Sequence, residues 1–131
     1  MTVHNRSRPK PTPAELEILN VLWQSGPSTV REVHSVLEAS KNAGYTTVLK
    51  LMQIMADKGL LTREESGRAH IYSPVIRREE AQRRAVGDLI ESMFGGSAAQ
   101  LALRALAEQR ASKKELAEIR NLLDEYEGKR R

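Results

Sequence analysis

Cysteine is absent from this 131-residue chain, and only five of its residues are aromatic. The lack of cysteine excludes disulfides, cysteine-ligated zinc and thiol redox chemistry. So few aromatic rings argue against a stacking platform for single-stranded nucleic acid, which needs several exposed rings. No apolar run approaches the roughly 18 residues of a membrane-spanning helix, and the N-terminal sequence has no apolar stretch of the signal-peptide type. We therefore expect a soluble, cytoplasmic protein.

Motifs of enzymes and of cofactor sites are also missing. The chain has no HExxH, Walker A, GxGxxG or nucleophile-elbow sequence. Its three histidines are His4, His34 and His70, and a metal site built from the last two with a nearby glutamate has no spacing signature to support it. We predict no catalytic residue, no cofactor and no metal.

The charge balance is mildly positive, with 21 basic and 17 acidic residues and a formal net charge of +4. Such a balance permits nucleic-acid binding. Residues 1–13 interleave basic residues with prolines, which favours an extended, flexible basic arm. This arm is either a solvated tail or a segment that contacts DNA phosphates or a minor groove. The residues concerned are Arg6, Arg8, Lys10, Pro9, Pro11 and Pro13.

Three short helices are predicted within the first 60 residues. The first spans about residues 13–24 and is stopped by a Ser-Gly-Pro sequence. The second begins at Thr29, which has capping-box spacing to the next glutamate, and fades near residue 40. The third is capped by Thr46 or Thr47 and ends at residues 58–59. The predicted buried faces are Leu16, Leu19 and Trp23, then Val30, Val33 and Leu37, then Val48, Leu51, Met52 and Met55.

Beyond the third helix the pattern becomes extended. Residues 60–64 and 69–73 read as two strands, and residues 65–68 as the turn of a hairpin. The remaining sequence is typical of helices, two of which begin at capping-box spacings. These helices span residues 76–93, 97–109 and 112–126.

Three helices followed by a hairpin indicate a mainly α fold with a small β-hairpin, namely a winged helix-turn-helix followed by a C-terminal helical dimerisation region. We predict the arm over residues 1–13, a DNA-binding domain over 14–75 and a dimerisation domain over 76–131. In such a plan the third helix enters the major groove and the hairpin, or wing, contacts the flanking backbone.

The candidate DNA-binding residues lie on the third helix, on the wing and on the second helix. Threonines at a helix start can donate to phosphates, whereas lysine and glutamine one turn further on can reach base edges. The alternative is that they are solvated polar residues of a helical bundle. The candidates are Arg31, Tyr45, Thr46, Thr47, Lys50, Gln53, Arg63, Arg68 and His70.

Residues 14–75 contain six basic and seven acidic residues, so the predicted DNA-binding domain is not net basic. Affinity would then depend on the local placement of charge, and non-specific binding should be modest.

The C-terminal helices carry more apolar residues than three short helices need alone. If the apolar stripes of these helices packed against those of a second subunit, both sets would be buried. The alternative is that the helices fold back on their own wing domain. Residues 116, 119, 123 and 126 step by three and four, like a coiled-coil seam. The candidate dimerisation residues are Leu89, Met93, Phe94, Leu101, Leu106, Leu116, Ile119 and Leu123.

Several stretches, in this order and spacing, resemble the penicillinase repressor family of BlaI, MecI and CopY type. They are residues 13–23 (PAELEILNVLW), 29–33 (TVREV), 45–49 (YTTVL), 58–61 (KGLL), 72–74 (YSP) and 93–97 (MFGGS). The resemblance covers roughly residues 13–126. It implies a homodimeric repressor that binds palindromic operators upstream of resistance genes, of which β-lactam resistance is the type case.

Within this resemblance, Thr47 occupies a DNA-contacting position, and Lys50 and Gln53 follow on the exposed face of the recognition helix. The family also implies induction by a membrane receptor with a cytoplasmic metalloprotease domain that cuts the C-terminal region. We expect that cut near residues 93–96, because two glycines loosen the backbone there. The copper-sensing branch uses cysteines near its C-terminus, so copper sensing by that route is excluded.

Two rival functions come from other classes. One is a winged-helix module that binds a protein, which would show no salt-dependent DNA binding. The other is an activator or a directly ligand-gated regulator, in which case a small molecule would stabilise the protein thermally.

Overall fold

A computed structural model describes residues 10–41 and 43–129. The predicted mainly α fold with a small β-hairpin is confirmed, since the described residues form six helices and a two-stranded antiparallel hairpin. The chain divides into two compact units, and the boundary between them falls between Arg83 and Arg84. The elements are α1 (Pro13–Ser25), α2 (Val30–Lys41), α3 (Tyr45–Lys58), β1 (Leu61–Ser66), β2 (Ala69–Pro74), α4 (Arg78–Met93), α5 (Ala98–Glu108) and α6 (Lys113–Lys129).

Local side-chain caps define where most of these helices begin. The predicted reciprocal caps are present at α2, between Thr29 and Glu32, and at α6, between Ser112 and Glu115. At α5 the Ser97 hydroxyl accepts from the Gln100 backbone N–H. Each cap satisfies backbone N–H groups that have no partner inside the helix.

The predicted threonine cap of α3 is wrong. Gly44 precedes the helix in an extended conformation, and its carbonyl accepts the backbone N–H of Val48. Thr46 and Thr47 therefore lie inside the first helical turn, and no side chain caps the helix. The early start makes Tyr45 the first helical residue, which places its ring beside α2.

The core of the N-terminal unit joins α1, α2, α3 and the hairpin, as the apolar spacings predict. One prediction is wrong: Leu16 is 38% exposed, and the buried face of α1 is carried by its neighbours in the next turns. Trp23 is half-buried against this core, and its indole N–H donates to the carbonyl of Ile76 at 2.9 Å. The core residues are Ile18, Leu19, Val21, Leu22, Val30, Val33, Leu37, Val48, Met52, Met55, Leu60, Leu61 and Tyr72.

The hairpin pairs β1 with β2 over six residues each, with Leu61 opposite Pro74 and Ser66 opposite Ala69. Its turn is tighter than predicted and uses Gly67 at φ 64°, a conformation that costs glycine little. A further bridge joins β2 to the segment before α2. The backbone N–H of Tyr72 donates to the Ser28 carbonyl at 2.8 Å, and the N–H of Ser28 donates back at 3.1 Å. The wing is thereby fixed to the helical part of the unit.

The helices of the C-terminal unit are less buried than those of the N-terminal unit. No residue of α5, of α6 or of the α4 segment that belongs to this unit is buried in the described chain. Gly95 and Gly96, both at positive φ, follow the end of α4, and the Gly96 N–H donates to the Ile90 carbonyl at 2.9 Å. None of the helices among residues 10–41 and 43–129 combines the length and apolar character of a membrane span.

Candidate nucleic-acid interface

Besides Tyr45 at its start, α3 carries four of the predicted DNA-binding residues on its exposed face. Val48, Met52 and Met55 are buried in the core, and this burial fixes which side of the helix faces outward. The outward residues are Thr46, Thr47, Lys50 and Gln53, all of which are exposed. Because no side chain caps α3, its first backbone N–H groups remain available to an anion.

A hollow of about 510 Å³ lies between the start of α2, the exposed side of α3 and the wing. We call it the wing hollow. Two arginines and no carboxylate contribute to its lining, so this part of the surface is locally basic although the domain is not. Its lining residues are Thr29, Val30, Arg31, Tyr45, Leu49, Gln53, Arg68, Ala69, His70 and Tyr72.

The wing hollow brings together five of the nine predicted DNA-binding residues, from three separate elements. They are Arg31, Tyr45, Gln53, Arg68 and His70. Thr46, Thr47 and Lys50 do not line it and form a neighbouring polar strip on α3. Arg63 lies on β1 opposite Tyr72 and is also outside the lining.

Three side chains from α2 and α3 are stacked at the edge of the hollow. The guanidinium carbon of Arg31 lies 5.7 Å from the centre of the Tyr45 ring, which is the geometry of a cation–π contact. The His34 ring meets the same ring edge-on, at 5.6 Å between centres and 83° between planes. His34 Nε2 lies 4.0 Å from a carboxylate oxygen of Glu38, one turn further along α2.

Sequence reasoning missed His34 as a member of this site. A signal was present, because His34 follows Arg31 by three residues and such residues share a helix face. The spacing could not reveal that the first residue of α3 packs against both of them, since that contact joins different helices.

His70 is placed differently from a freely solvated wing residue. It lies opposite Glu65 in the hairpin, and its Nδ1 is buried with no hydrogen-bond partner among the described residues. A buried polar nitrogen without a partner is costly unless something satisfies it. His70 is also one of the residues that line the wing hollow.

Structural contacts of two carboxylates in the N-terminal unit contribute to the locally basic surface of a domain that is not net basic. Glu15 is only 2% exposed and is paired with Lys58, whose Nζ lies 2.8 Å from its Oε2. Glu32 accepts from the Thr29 backbone N–H as part of the α2 cap. These acids are held in structural contacts, and neither lines the wing hollow.

The predicted dimerisation residues all lie in the C-terminal helices or the turn between α4 and α5, and none is buried within the single chain. Met93 is 74% exposed and Leu123 is 55% exposed. A second hollow, of about 470 Å³, lies between α5 and α6 and is lined by Leu106, Ile119 and Leu122 among others. The half-buried members of the set are Phe94, Leu101, Leu116 and Ile119, and the exposed ones are Leu89, Met93, Leu106 and Leu123.

No cluster of three or more histidine, aspartate or glutamate residues with metal-binding geometry occurs in the part of the chain that the structure describes. His34 and His70, the pair considered from the sequence, lie on α2 and on β2 respectively.

The order of elements, the tethered hairpin and the polar exposed face of α3 together define a winged helix-turn-helix protein. The chain belongs to the penicillinase repressor family, whose sequence profile matches residues 11–125. The resemblance stated from the sequence is thereby confirmed.

Particular relatives support this assignment. The chain is 40% identical over 67 residues to the transcriptional regulator BlaI of Mycobacterium tuberculosis, which is 50% of this chain and 49% of that protein. The match therefore spans about half the length of this relative. The penicillinase repressor of Bacillus licheniformis is 22% identical over 123 residues, covering 94% of this chain and 96% of the relative.

A solved structure also resembles the chain. It is the solution structure of monomeric B. licheniformis BlaI in complex with the blaP half-operator, with 26% identity and a TM-score of 0.50. The superposition covers 56% of this chain and 89% of that one.

Proposed function

We propose that this protein is a DNA-binding transcriptional repressor that acts in the cytoplasm on an operator. The observation that carries the proposal is the polar face of α3 beside a carboxylate-free hollow with Arg31 and Arg68 in its lining. In this arrangement α3 enters the major groove while the wing and the start of α2 contact the flanking phosphates. A similar B. licheniformis protein is named a penicillinase repressor, and the similar structure of B. licheniformis BlaI was solved with half-operator DNA, which supports this proposal.

Lys50 and Gln53 contact the base edges and so determine which sequence is bound. A lysine ammonium suits the O6 and N7 acceptors of guanine, and a glutamine amide suits adenine. Thr46 and Thr47, in the first turn of α3, donate to phosphates and set the register of the helix. Arg63, Arg68 and His70 belong to the hairpin contact, which carries no sequence information by itself.

The functional unit in this proposal is a homodimer on a palindromic operator. The support is the unburied apolar side of α4, α5 and α6 in the single chain, including Leu106 and Leu123. Dimerisation makes the second half-site contact effectively intramolecular, which can raise affinity by about 10²- to 10⁴-fold without new contacts.

Relief of repression would come from a signal that separates the DNA-binding domain from the last two helices, α5 and α6. We propose regulated proteolysis by a membrane-bound metalloprotease receptor, with the cut near residues 93–96 and genes of the β-lactam resistance type as targets. Gly95 and Gly96 are exposed and lie between the end of α4 and the start of α5, which supports this segment as an accessible substrate. A neighbouring gene for a membrane protein with an HExxH helix would supply the protease, and mass spectrometry after co-expression would locate the cut.

The test of DNA binding is a gel-shift titration against the DNA upstream of the protein's own gene, at two salt concentrations and with competitor duplex. We expect tight binding to a palindrome that resists competitor and weakens steeply with salt. Weak binding, equal for every duplex tested there and in a genome-wide selection of bound fragments, would contradict the proposal and favour a protein-binding module. Thermal stabilisation by a small molecule would favour a ligand-gated regulator instead.

A further inference from the structure

The stack of Arg31, Tyr45 and His34 joins the two helices of the DNA-binding motif through side chains. Arg31 and His34 belong to α2, whereas Tyr45 begins α3. One ring therefore contacts both a guanidinium, at 5.7 Å, and an imidazole, at 5.6 Å. Tyr45 is itself 40% exposed, and both Tyr45 and Arg31 line the wing hollow.

The edge-on contact restrains the tyrosine ring. In a T-shaped pair the positive edge of one ring meets the negative face of another, which favours a defined orientation. An oriented tyrosine ring in turn offers a face on which an arginine can rest. An exposed arginine otherwise samples many rotamers, and ordering them on binding costs affinity.

We propose that the Tyr45 ring, restrained by His34, is a positioning platform that holds the Arg31 guanidinium ready for a backbone phosphate of the operator. The inference rests on the proposed function and assigns Tyr45 an indirect role. In this view the ring of Tyr45 matters and its hydroxyl does not. Arg31 supplies the contact, because its planar fork matches the oxygens of a phosphate.

A phosphate suits this position better than a base edge. Arg31 stands on α2 rather than on the exposed strip of α3, and a second arginine, Arg68 on the wing, lines the same hollow. Two cations from separate elements surround a space that no carboxylate lines. Such an arrangement favours binding of the polyanionic backbone of a nucleic acid. A phosphate contact carries no base preference, so its loss should weaken binding to every sequence alike.

The experiment is a double-mutant cycle measured with full-length protein on its operator and on a scrambled duplex. The variants are Arg31→Ala, Tyr45→Leu, the double variant and Tyr45→Phe. We expect Arg31→Ala to weaken binding to both duplexes by about tenfold and to lower the salt slope by about one. Tyr45→Leu should have a smaller effect of the same kind, and Tyr45→Phe should change affinity by less than about twofold.

The decisive result is the double variant. If Tyr45 acts through Arg31, Tyr45→Leu should cost nothing further once Arg31 is alanine, so the two effects are not additive. Fully additive effects would overturn the inference, as would a Tyr45→Phe loss as large as that of Tyr45→Leu. If Tyr45→Leu does not fold, Arg31→Lys decides: it keeps the charge but not the fork, and an affinity equal to that of the native protein would overturn the inference.

Failure of this inference is distinguishable from failure of the proposed function. If the unaltered protein binds no duplex in a salt-dependent manner, the repressor proposal fails. If it binds its operator but the cycle is additive, only the platform role of Tyr45 fails. His34→Ala adds an independent readout, because it should weaken binding only when both Tyr45 and Arg31 are present.

Discussion

Lys58, at the last turn of α3, reaches back to Glu15, in the first turn of α1, and its Nζ lies 2.8 Å from one carboxylate oxygen and 3.0 Å from the other. The Thr12 backbone N–H also donates to Glu15, at 2.9 Å. A single carboxylate therefore closes the cap of α1 and ties the end of α3 to it. This pair couples the orientation of α3, and with it the exposed polar face of that helix, to α1.

Replacement of Glu15 by glutamine should destabilise the N-terminal unit by about 2 kcal/mol, because it leaves a partly buried ammonium without its counterion. The value is below that of a fully buried pair, since the Lys58 side chain remains 31% exposed and partly solvated. Urea unfolding followed by the fluorescence of Trp23, the one tryptophan, would report on this unit. Glu64→Gln, at an exposed carboxylate on β1, is the matched control and should change stability little.

The Glu15 contribution should depend on pH. Burial alone would raise the pKa of the Glu15 carboxyl, but the hydrogen bonds from Lys58 and Thr12 and the Lys58 charge lower it below its ordinary value of 4.5. A lowered native pKa gives stability that is fully present above pH 4.5 and is lost as the pH falls through the native value. The stability difference between the native protein and Glu15→Gln should therefore shrink in acid. A difference that stayed constant through acid pH would contradict the ion-pair interpretation.

Two glycine-to-alanine replacements should act in opposite directions. Gly59 follows α3 at φ 86°, where nothing lies within 4 Å of an added Cβ, so the cost is backbone strain alone. Gly59→Ala should destabilise by about 1 kcal/mol. Gly87 lies inside α4 with equal space around it, and Gly87→Ala should stabilise that helix by about 0.5–1 kcal/mol. Thermal unfolding followed by circular dichroism would measure both, and a shift of the same sign in the two variants would refute the argument.

Helices and strands could be predicted from the sequence more accurately than the contacts between them. The α2 and α6 caps were predictable because a serine or threonine and a glutamate three residues on meet within one turn. The Glu15–Lys58 pair was not, since its partners are 43 residues apart. For the same reason the alternation that predicts β2 gives no sign that Tyr72 pairs with Ser28.

The same contrast between local signals and contacts across the fold holds for the candidate site. Exposed polar residues on α3 could be predicted from the 3.6-residue period, because the apolar positions determine the buried side. The start of α3 could not, since Thr46 and Thr47 are better caps by composition than Gly44, which the structure uses. That shift of the cap by two or three residues decides whether Tyr45 is a loop residue or part of the stack with Arg31 and His34.

Lys50→Ala should weaken operator binding and relax the preference at one base position, at a cost of about 1–3 kcal/mol if the ammonium contacts guanine. Lys50 is exposed on α3 beside the wing hollow, so its removal should not affect folding. Gel shifts with the operator and with each single-base variant would measure the change. Lys114→Ala, on α6, removes the same charge far along the chain and should leave base preference unchanged. Unaltered operator affinity in Lys50→Ala would rule out the assignment.

The final prediction concerns the apolar side of α6. Leu116 is half-buried and Leu123 is 55% exposed, and both lie on the predicted seam at positions seven residues apart. If a second subunit covers this seam, Leu116→Asp with Leu123→Asp places two carboxylates in an apolar interface, and the protein should sediment as a monomer.

The same double variant should bind a full palindrome about 10²-fold or more weakly, because the two half-sites no longer share one protein assembly. Its affinity for an isolated half-site should change little, since the seam is distant in sequence from α3 and the wing. Lys114→Gln with Asn121→Asp, also seven residues apart on α6, makes the same change of net charge and should leave the dimer intact. A Leu116→Asp, Leu123→Asp protein that still sediments as a dimer would show that the subunits meet through other residues.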